Sequence, residues 1–354
     1  MKTALAFAVF SLLATSAHAA ADRITEQRAV AAFTGVELNG PYQVVVHAKG
    51  TPGVRLEGEA ARLARIETVM RGDTLIIRTL PHSGSWFSWG ADRPTVRITV
   101  TGSAVQHVQS NGSGDVEVDQ LGGGNMALTN NGAGDLRASG AVGAVLVRSS
   151  GSGDVDLRGL SASSVDLTMS GAGDVTLGTV AQEMATAMSG SGDLVAHGLK
   201  LARATIRQSG AGDAHLDGTA RIIQVVLSGS GDLKACNLAV ESIDLVQNGP
   251  GDACVGGKIK ELVAELRGSG DLTANSLQAQ HARLLISGPG SAKIGGTVAQ
   301  LEAVVRGSGS LDGKDLLATR ADVSATGPGD AQLMLGNDRD STLTTWSRHG
   351  RNQR

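Results

Sequence analysis

The sequence predicts an all-β solenoid, a β-helix with a 39-residue double repeat and an atypical β cap at its N-terminal end. Three observations predict it. A Gly-x-Gly-Asp motif recurs in strict phase along most of the chain, and apolar and polar residues alternate between its copies. No aromatic residue occurs between Trp89 and Trp346. A globular enzyme of this length fills an irregular core with large rings. A core of Val, Leu, Ile, Met and Ala alone suits thin, uniform layers, which stacking of short repeats produces.

The motif starts at Gly112, Gly132, Gly151, Gly171, Gly190, Gly210, Gly229, Gly249 and Gly268, continues in variant form at Gly288 and Gly307, and returns at Gly327. Spacings alternate between 20 and 19 residues. The middle position alternates with them: Ser113, Ser152, Ser191, Ser230, Ser269 and Ser308 against Ala133, Ala172, Ala211, Pro250, Pro289 and Pro328. The repeat is therefore 39 residues long and has two unlike halves.

Each half reads as two short strands. Val155-Asp156-Leu157 and Val165-Asp166-Leu167 show the period-two alternation of a half-buried strand. Odd halves carry a leucine column, Leu121, Leu160, Leu199, Leu238, Leu277 and Leu316; even halves carry a glycine turn at Gly140, Gly178, Gly218, Gly257 and Gly296. Strands this short cannot bury a face alone, but stacked copies can. If like residues stack on like, one coil takes a whole 39-residue repeat; a coil of 19 or 20 would set unlike halves on one another.

The ends differ from the repeat. Residues 1–19 read as a signal peptide: Lys2, an apolar run from Ala4 to Ala14, then Ala17-His18-Ala19 as a small-x-small cleavage site. The run is too short to span a bilayer, and no later segment is long and apolar enough. No cysteine stands directly after the cleavage site, which argues against a lipid anchor. Residues 20–111 lack the motif but hold strand-like stretches at Val36-Glu37-Leu38, Tyr42 to Val46, Val54-Arg55-Leu56, Thr74 to Arg78 and Thr95 to Val100. They read as an N-terminal cap continuous with the solenoid of residues 112–336, since terminal repeats must cover an open edge. Residues 337–354 form a polar tail.

A β-rich opening with the strands Thr74-Leu75-Ile76-Ile77-Arg78-Thr79 and Thr95-Val96-Arg97-Ile98-Thr99-Val100, followed by serial Ser-Gly-Ser-Gly-Asp and Ser-Gly-Ala-Gly-Asp repeats, resembles the auto-transporter adhesin head GIN domain family. The resemblance covers residues 33–330. It implies a β-helical domain of bacterial envelope proteins to which no biochemical activity is assigned. The sequence departs from an auto-transporter in having no C-terminal stretch that resembles a membrane barrel.

Three groups are candidate sites. The motif aspartates, Asp115, Asp135, Asp154, Asp174, Asp193, Asp213, Asp232, Asp252, Asp271 and Asp330, suit structural turns, accepting turn amides at a corner that needs positive φ at its glycines. Calcium, bridging carboxylates on neighbouring rungs, is the alternative. Ser291 and Ser310 replace the acid without disturbing the phase, which favours turns, and no cofactor is expected. In a 39-residue coil, His197 and Cys236, and His215 and Cys254, would be vertical neighbours with zinc- or copper-ligating chemistry, or else drifting surface residues. In an oxidising compartment the two cysteines could instead form a Cys236–Cys254 disulfide, which would count against the long coil unless their columns meet at a corner. The loop carrying Trp86, Phe87 and Trp89 suits either contact with a glycan, partner or membrane interface, or closure of the N-terminal end.

Composition and motifs exclude more than they assign. A formal net charge of −3 predicts neither nucleic-acid binding nor a polyanion-binding surface. No nucleophile elbow, His-Glu-x-x-His or phosphate-binding loop occurs, and the phased repeat leaves no inserted loops to wall a catalytic cleft. The reading is an exported, non-enzymatic β-solenoid of the cell envelope, in the periplasm, on the outer surface or secreted. Its role would be adhesive or structural, with an envelope or extracellular surface component as partner. The alternative is a glycan-binding or polysaccharide-active protein that uses the Trp86–Trp89 loop. Nothing in the sequence specifies an oligomeric state.

Overall fold

The computed structural model describes residues 23–80, 96–335 and 342–343. The proposed leader, the loop with Trp86, Phe87 and Trp89, and the tail apart from two residues lie outside them. The described chain is nearly all β and winds into a solenoid of about 11 turns. No helix among the described residues is long and apolar enough to cross a membrane.

One coil takes 19 or 20 residues, not 39. Leu136 pairs in parallel with Val155, Val155 with Val175, and Val175 with Leu194, so every Gly-x-Gly-Asp motif closes a turn of its own. The 39-residue repeat is two coils. Like does not stack on like because the unlike halves are complementary. Buried Leu121 faces Gly140, which faces Leu160; Leu199 faces Gly218, and Leu277 faces Gly296. Gly140, Gly218 and Gly296 adopt φ of 131°, 120° and 115°, where a side chain is strained. A Cβ at Gly218 would also strike the Leu199 backbone. One coil supplies bulk and the next supplies room. About eleven turns rise roughly 53 Å at ~4.8 Å per strand spacing.

Within a coil, burial shows three straight runs. In residues 155–169 the inward side chains are Val155 and Leu157, then Leu160 and Ala162, then Val165, Leu167 and Met169. The alternation slips at Arg158-Gly159 and again at Ser163-Ser164, and the chain turns at both places. The motif makes the remaining corner. Each inward Val, Leu or Ile contributes about 1.5–3 kcal/mol, and each is covered by its neighbours above and below.

The N-terminal region is wound out of chain order. Its elements are β1 (Arg23–Arg28), β2 (Gly35–Asn39), β3 (Gln43–His47), β4 (Gly53–Glu59), α1 (Ala60–Leu63), β5 (Ile66–Arg71), β6 (Thr74–Thr79) and β7 (Arg97–Thr101). β8 (His107–Ser110) and β9 (Val116–Gly122) follow and begin the repeat. β2 and β3 lie in parallel beside β8 and β9, with Val36 opposite Val108 and Val44 opposite Val116. On their other side run β6 and β7, Val36 opposite Leu75 and Val44 opposite Ile98. The lowest coil is thus the one that contains β6 and β7, the next that of β2 and β3, and only then does the stack follow the sequence. β4 pairs antiparallel with β7, β1 with β4, and β5 with β6, so the parallel winding ends in antiparallel strands. In the sequence, Trp86, Phe87 and Trp89 fall between β6 and β7.

Candidate functional site

The motif glycines are fixed by crowding rather than by positive φ. Among them only Gly327 has φ in the left-handed region, at 111°. A Cβ on Gly151 would meet the Gly132 carbonyl oxygen, and one on Gly153 the Gly134 carbonyl oxygen, well inside van der Waals contact. The same holds at Gly171, Gly190, Gly210 and Gly229 against the coil before each. Corner backbones stack so closely that no side chain fits between them.

That stacking places the aspartates in a ladder. The backbone N–H of Asp135 donates to Oδ1 of Asp115 at 3.1 Å, that of Asp154 to Asp135, and that of Asp174 to Asp154. The series continues through Asp193, Asp213, Asp232, Asp252 and Asp271 to the N–H of Ser291, at 2.7–2.9 Å. Each aspartate carbonyl also accepts from the coil before, as Asp154 O does from Leu136 N at 2.8 Å. Ser310 then bonds Ser291, hydroxyl to hydroxyl, at 3.0 Å. At the top, the Asp330 carboxylate accepts from the N–H of Ala331 at 2.9 Å. Every carboxylate from Asp115 to Asp271 commits one oxygen to the next coil. One acid per coil, half engaged, does not converge into the six to eight oxygens that calcium takes.

Inside the corner, buried amides brace the same turns. Asn130 Nδ2 donates to the carbonyls of Gly134 and Gly153 at 3.0 and 3.2 Å, and Gln247 Nε2 to that of Gly251 at 2.5 Å. Neither amide was singled out from the sequence, although continuing the alternation of Ile243 and Leu245 by two residues reaches Gln247.

The histidine–cysteine pairs do not form a metal centre. Cys236 and Cys254 are joined by a disulfide, Cα to Cα 5.1 Å, so neither is a thiolate ligand. Residues 39 apart are separated by two coils, roughly 10 Å, not one: Lys234 lies between His215 and Cys254. His197 Nδ1 instead meets Asp217 Oδ2 at 2.5 Å, and Gly198 N–H donates to the other oxygen at 2.8 Å. The His197 hydrogen bond, then that amide, holds the Asp217 pKa below the usual carboxylate range. Asp213 is also lowered; partial burial raises it, but the Asp232 amide and the Lys234 ammonium outweigh that. No cluster of three or more His, Cys, Asp or Glu suited to a metal occurs among the described residues.

Two recesses cross the outer faces. One, of about 470 Å³, lies over the third run between Asn125 and Thr205. The other, of about 720 Å³, lies over the second run between Leu201 and Gln278, with Arg221, Lys258 and Lys260 at its rim. These cations were not singled out from the sequence. Their signal is positional: Arg221 and Lys260 occupy one column, two coils apart, once the coil is counted as 19 or 20 residues.

The model of the family described as "Putative auto-transporter adhesin, head GIN domain" matches residues 32–216, 178–260 and 255–345. The chain belongs to this family. Among solved structures, the GIN-domain chain is similar to a putative adhesin of Parabacteroides distasonis at 12% identity, covering 89% of this chain and 94% of that one, with a TM-score of 0.37. A putative adhesin of Parabacteroides merdae matches at 14% identity over 88% and 92%, TM-score 0.33. A protein of Parabacteroides distasonis named a putative lipid binding protein matches at 15% over 89% and 96%, TM-score 0.34. No curated protein matches.

Proposed function

We propose that the chain is an exported, non-enzymatic envelope protein that uses the flanks of a rigid solenoid for adhesion to, or assembly with, a surface component. One observation carries the reading: from Gly112 to Gly329 the coils stack without an inserted loop, so they offer long faces rather than a walled cleft. Membership of an adhesin head-domain family and the leader-like residues 1–19 support it. Cells lacking the protein are expected to attach less well to host or abiotic surfaces, or to lose envelope integrity. Unchanged attachment and integrity would sink the reading.

A second reading gives the contact role to Trp86, Phe87 and Trp89. It is favoured by the clustering of three aromatic side chains within four residues of a chain otherwise poor in aromatics. Trp86→Ala/Trp89→Ala should then lose binding on a glycan panel; retained binding would dismiss it.

A further inference from the structure

The recess on the second run differs chemically from the rest of the surface. Its floor is apolar: Leu201, Ala220 and Val240 are buried. It is hollow because the outward residues above that floor are small, Thr219, Ala239 and Gly257. Its rim carries exposed Arg221, Lys258 and Lys260, with Lys200 paired beside Thr219 one coil lower. Against these four cations stands Glu241, whose carboxylate meets Lys260 Nζ at 3.1 Å. Among the described residues, neither Arg221 nor Lys258 has a carboxylate within ion-pair distance.

On other parts of the surface some cations are matched with acids across neighbouring coils. Arg283 pairs with Glu302 at 2.7 Å, and Lys234 with Asp213 at 2.5 Å. In the recess, Glu241 lies between Arg221 and Lys260 in one column and pairs with Lys260, which leaves Arg221 and Lys258 as a local cationic excess. A ligand that brings negative charge would match that excess. The whole-chain charge of −3 hides the patch, because it averages a local cationic excess over acids on other faces.

Shape and chemistry narrow the ligand. From Leu201 to Gln278 the recess spans four coil steps, roughly 19 Å, which suits an extended chain rather than a compact anion. Arg221 and Lys260 lie two coils apart in one column, about 10 Å, a spacing that a regularly charged polymer can match. Thr219, Ser276 and Gln278 offer hydroxyl and amide partners for sugar hydroxyls. No aromatic ring lines the recess, so it has no platform for stacking nucleobases. We propose that it is a groove for one strand of an acidic polysaccharide, such as a polyuronate, held by Arg221 and Lys258 with Lys260 beside them. The proposal names a ligand class for the adhesive role and rests on that reading, but its readout is separate: polymer binding by purified protein rather than attachment of cells.

The test is calorimetric titration of the full chain with oligogalacturonate, neutral dextran and a single-stranded oligonucleotide. Oligogalacturonate should bind, more weakly as salt rises, and dextran should not. Arg221→Ala/Lys258→Ala should weaken binding about tenfold or more without changing the thermal melt. Lys293→Ala/Lys314→Ala, on later coils and outside the recess, should bind as the parent does. Absence of oligogalacturonate binding would overturn the proposal, as would equal binding by the Arg221/Lys258 variant. So would oligonucleotide binding of the same strength lost with the same substitutions, because the patch would then be an indiscriminate polyanion surface.

Discussion

At the N-terminal end the corner beneath Gly112 is made by Asn39, Gly40, Pro41 and Tyr42, whereas every corner above it is made by two glycines and an Asp or Ser. Both stack parallel coils, but they meet different neighbours. A coil in the repeat touches copies of itself above and below, so one solution serves at every level. The lower coils face the repeat on one side and antiparallel strands on the other. Tyr42 and Phe33, the buried aromatics among the described residues, fill gaps there that no leucine column matches. The Tyr42 hydroxyl reaches Thr79 Oγ1 at 2.5 Å and ties the second coil to the first. Repetition economises on sequence, but an end has to be built individually.

If that contrast is right, glycines at the repeat corners should be crowded by backbone, which cannot yield, whereas those of the end meet side chains or open space. A Cβ on Gly190 would strike the Gly171 carbonyl, while one on Gly53 in β4 has its nearest neighbour at 4.0 Å. Gly190→Val should cost at least about 4 kcal/mol, because two backbones would have to separate. Gly53→Val should stay within about 0.5 kcal/mol. Urea denaturation followed by circular dichroism checks both. Equal costs would mean that the repeat corners are looser than their stacking requires.

How far the fold was legible follows the same division. The repeat announced strands, inward columns and corners, because a phased motif is visible wherever neighbours are copies. Coil size was misread because stacking was expected to set like on like; packing instead opposes Leu121 to Gly140 and Leu199 to Gly218. That error moved His215 beside Cys254 and left the Cys236–Cys254 disulfide as an argument against the long coil rather than an expectation. The inverted N-terminal order was not read. Its cue was faint: Asn39-Gly40 echoes Asn111-Gly112, and Asn111 Nδ2 does donate to Asn39 Oδ1 at 2.8 Å. β1, β5 and α1 lack any repeat to flag them. The cationic recess was invisible to whole-chain charge, because its residues converge only in the correct coil register.

The disulfide sharpens the comparison from the other side. Cys236–Cys254 links adjacent coils of the repeat across 18 residues, where the pairing between Ala235 and Ala239 is irregular. Closing a loop of that size restricts the unfolded chain by about 3 kcal/mol. Cys236→Ser/Cys254→Ser should lower stability by about 2–3 kcal/mol. In a stack of nearest-neighbour contacts the loss should be local. Hydrogen exchange should therefore speed up in residues 229–268 and stay unchanged in 35–47, 74–79 and 97–101. Uniform loosening would show that the solenoid unfolds as one unit and that its end is not independent of its body.

The smallest effect should come from the ladder. Asp213 accepts the Asp232 N–H at 2.9 Å and Lys234 at 2.5 Å. Asp213→Ala leaves that amide without its acceptor and should cost about 1–2 kcal/mol, whereas Asp213→Asn keeps an acceptor oxygen and should cost less. Its pKa is lowered in the fold, so its charge contributes stability above the unfolded-state pKa. That contribution is lost as pH falls through the folded pKa, and Asp213→Asn should flatten this acid-side decline. Asp73, at the N-terminal end, is also held low, first by its hydrogen bond from Thr34, but it is exposed and its carboxylate accepts a hydroxyl rather than a backbone amide of the next coil. Asp73→Ala should therefore change stability little. A loss at Asp73 equal to that at Asp213 would show that the ladder adds nothing beyond a surface hydrogen bond, and that the glycines alone hold the corners together.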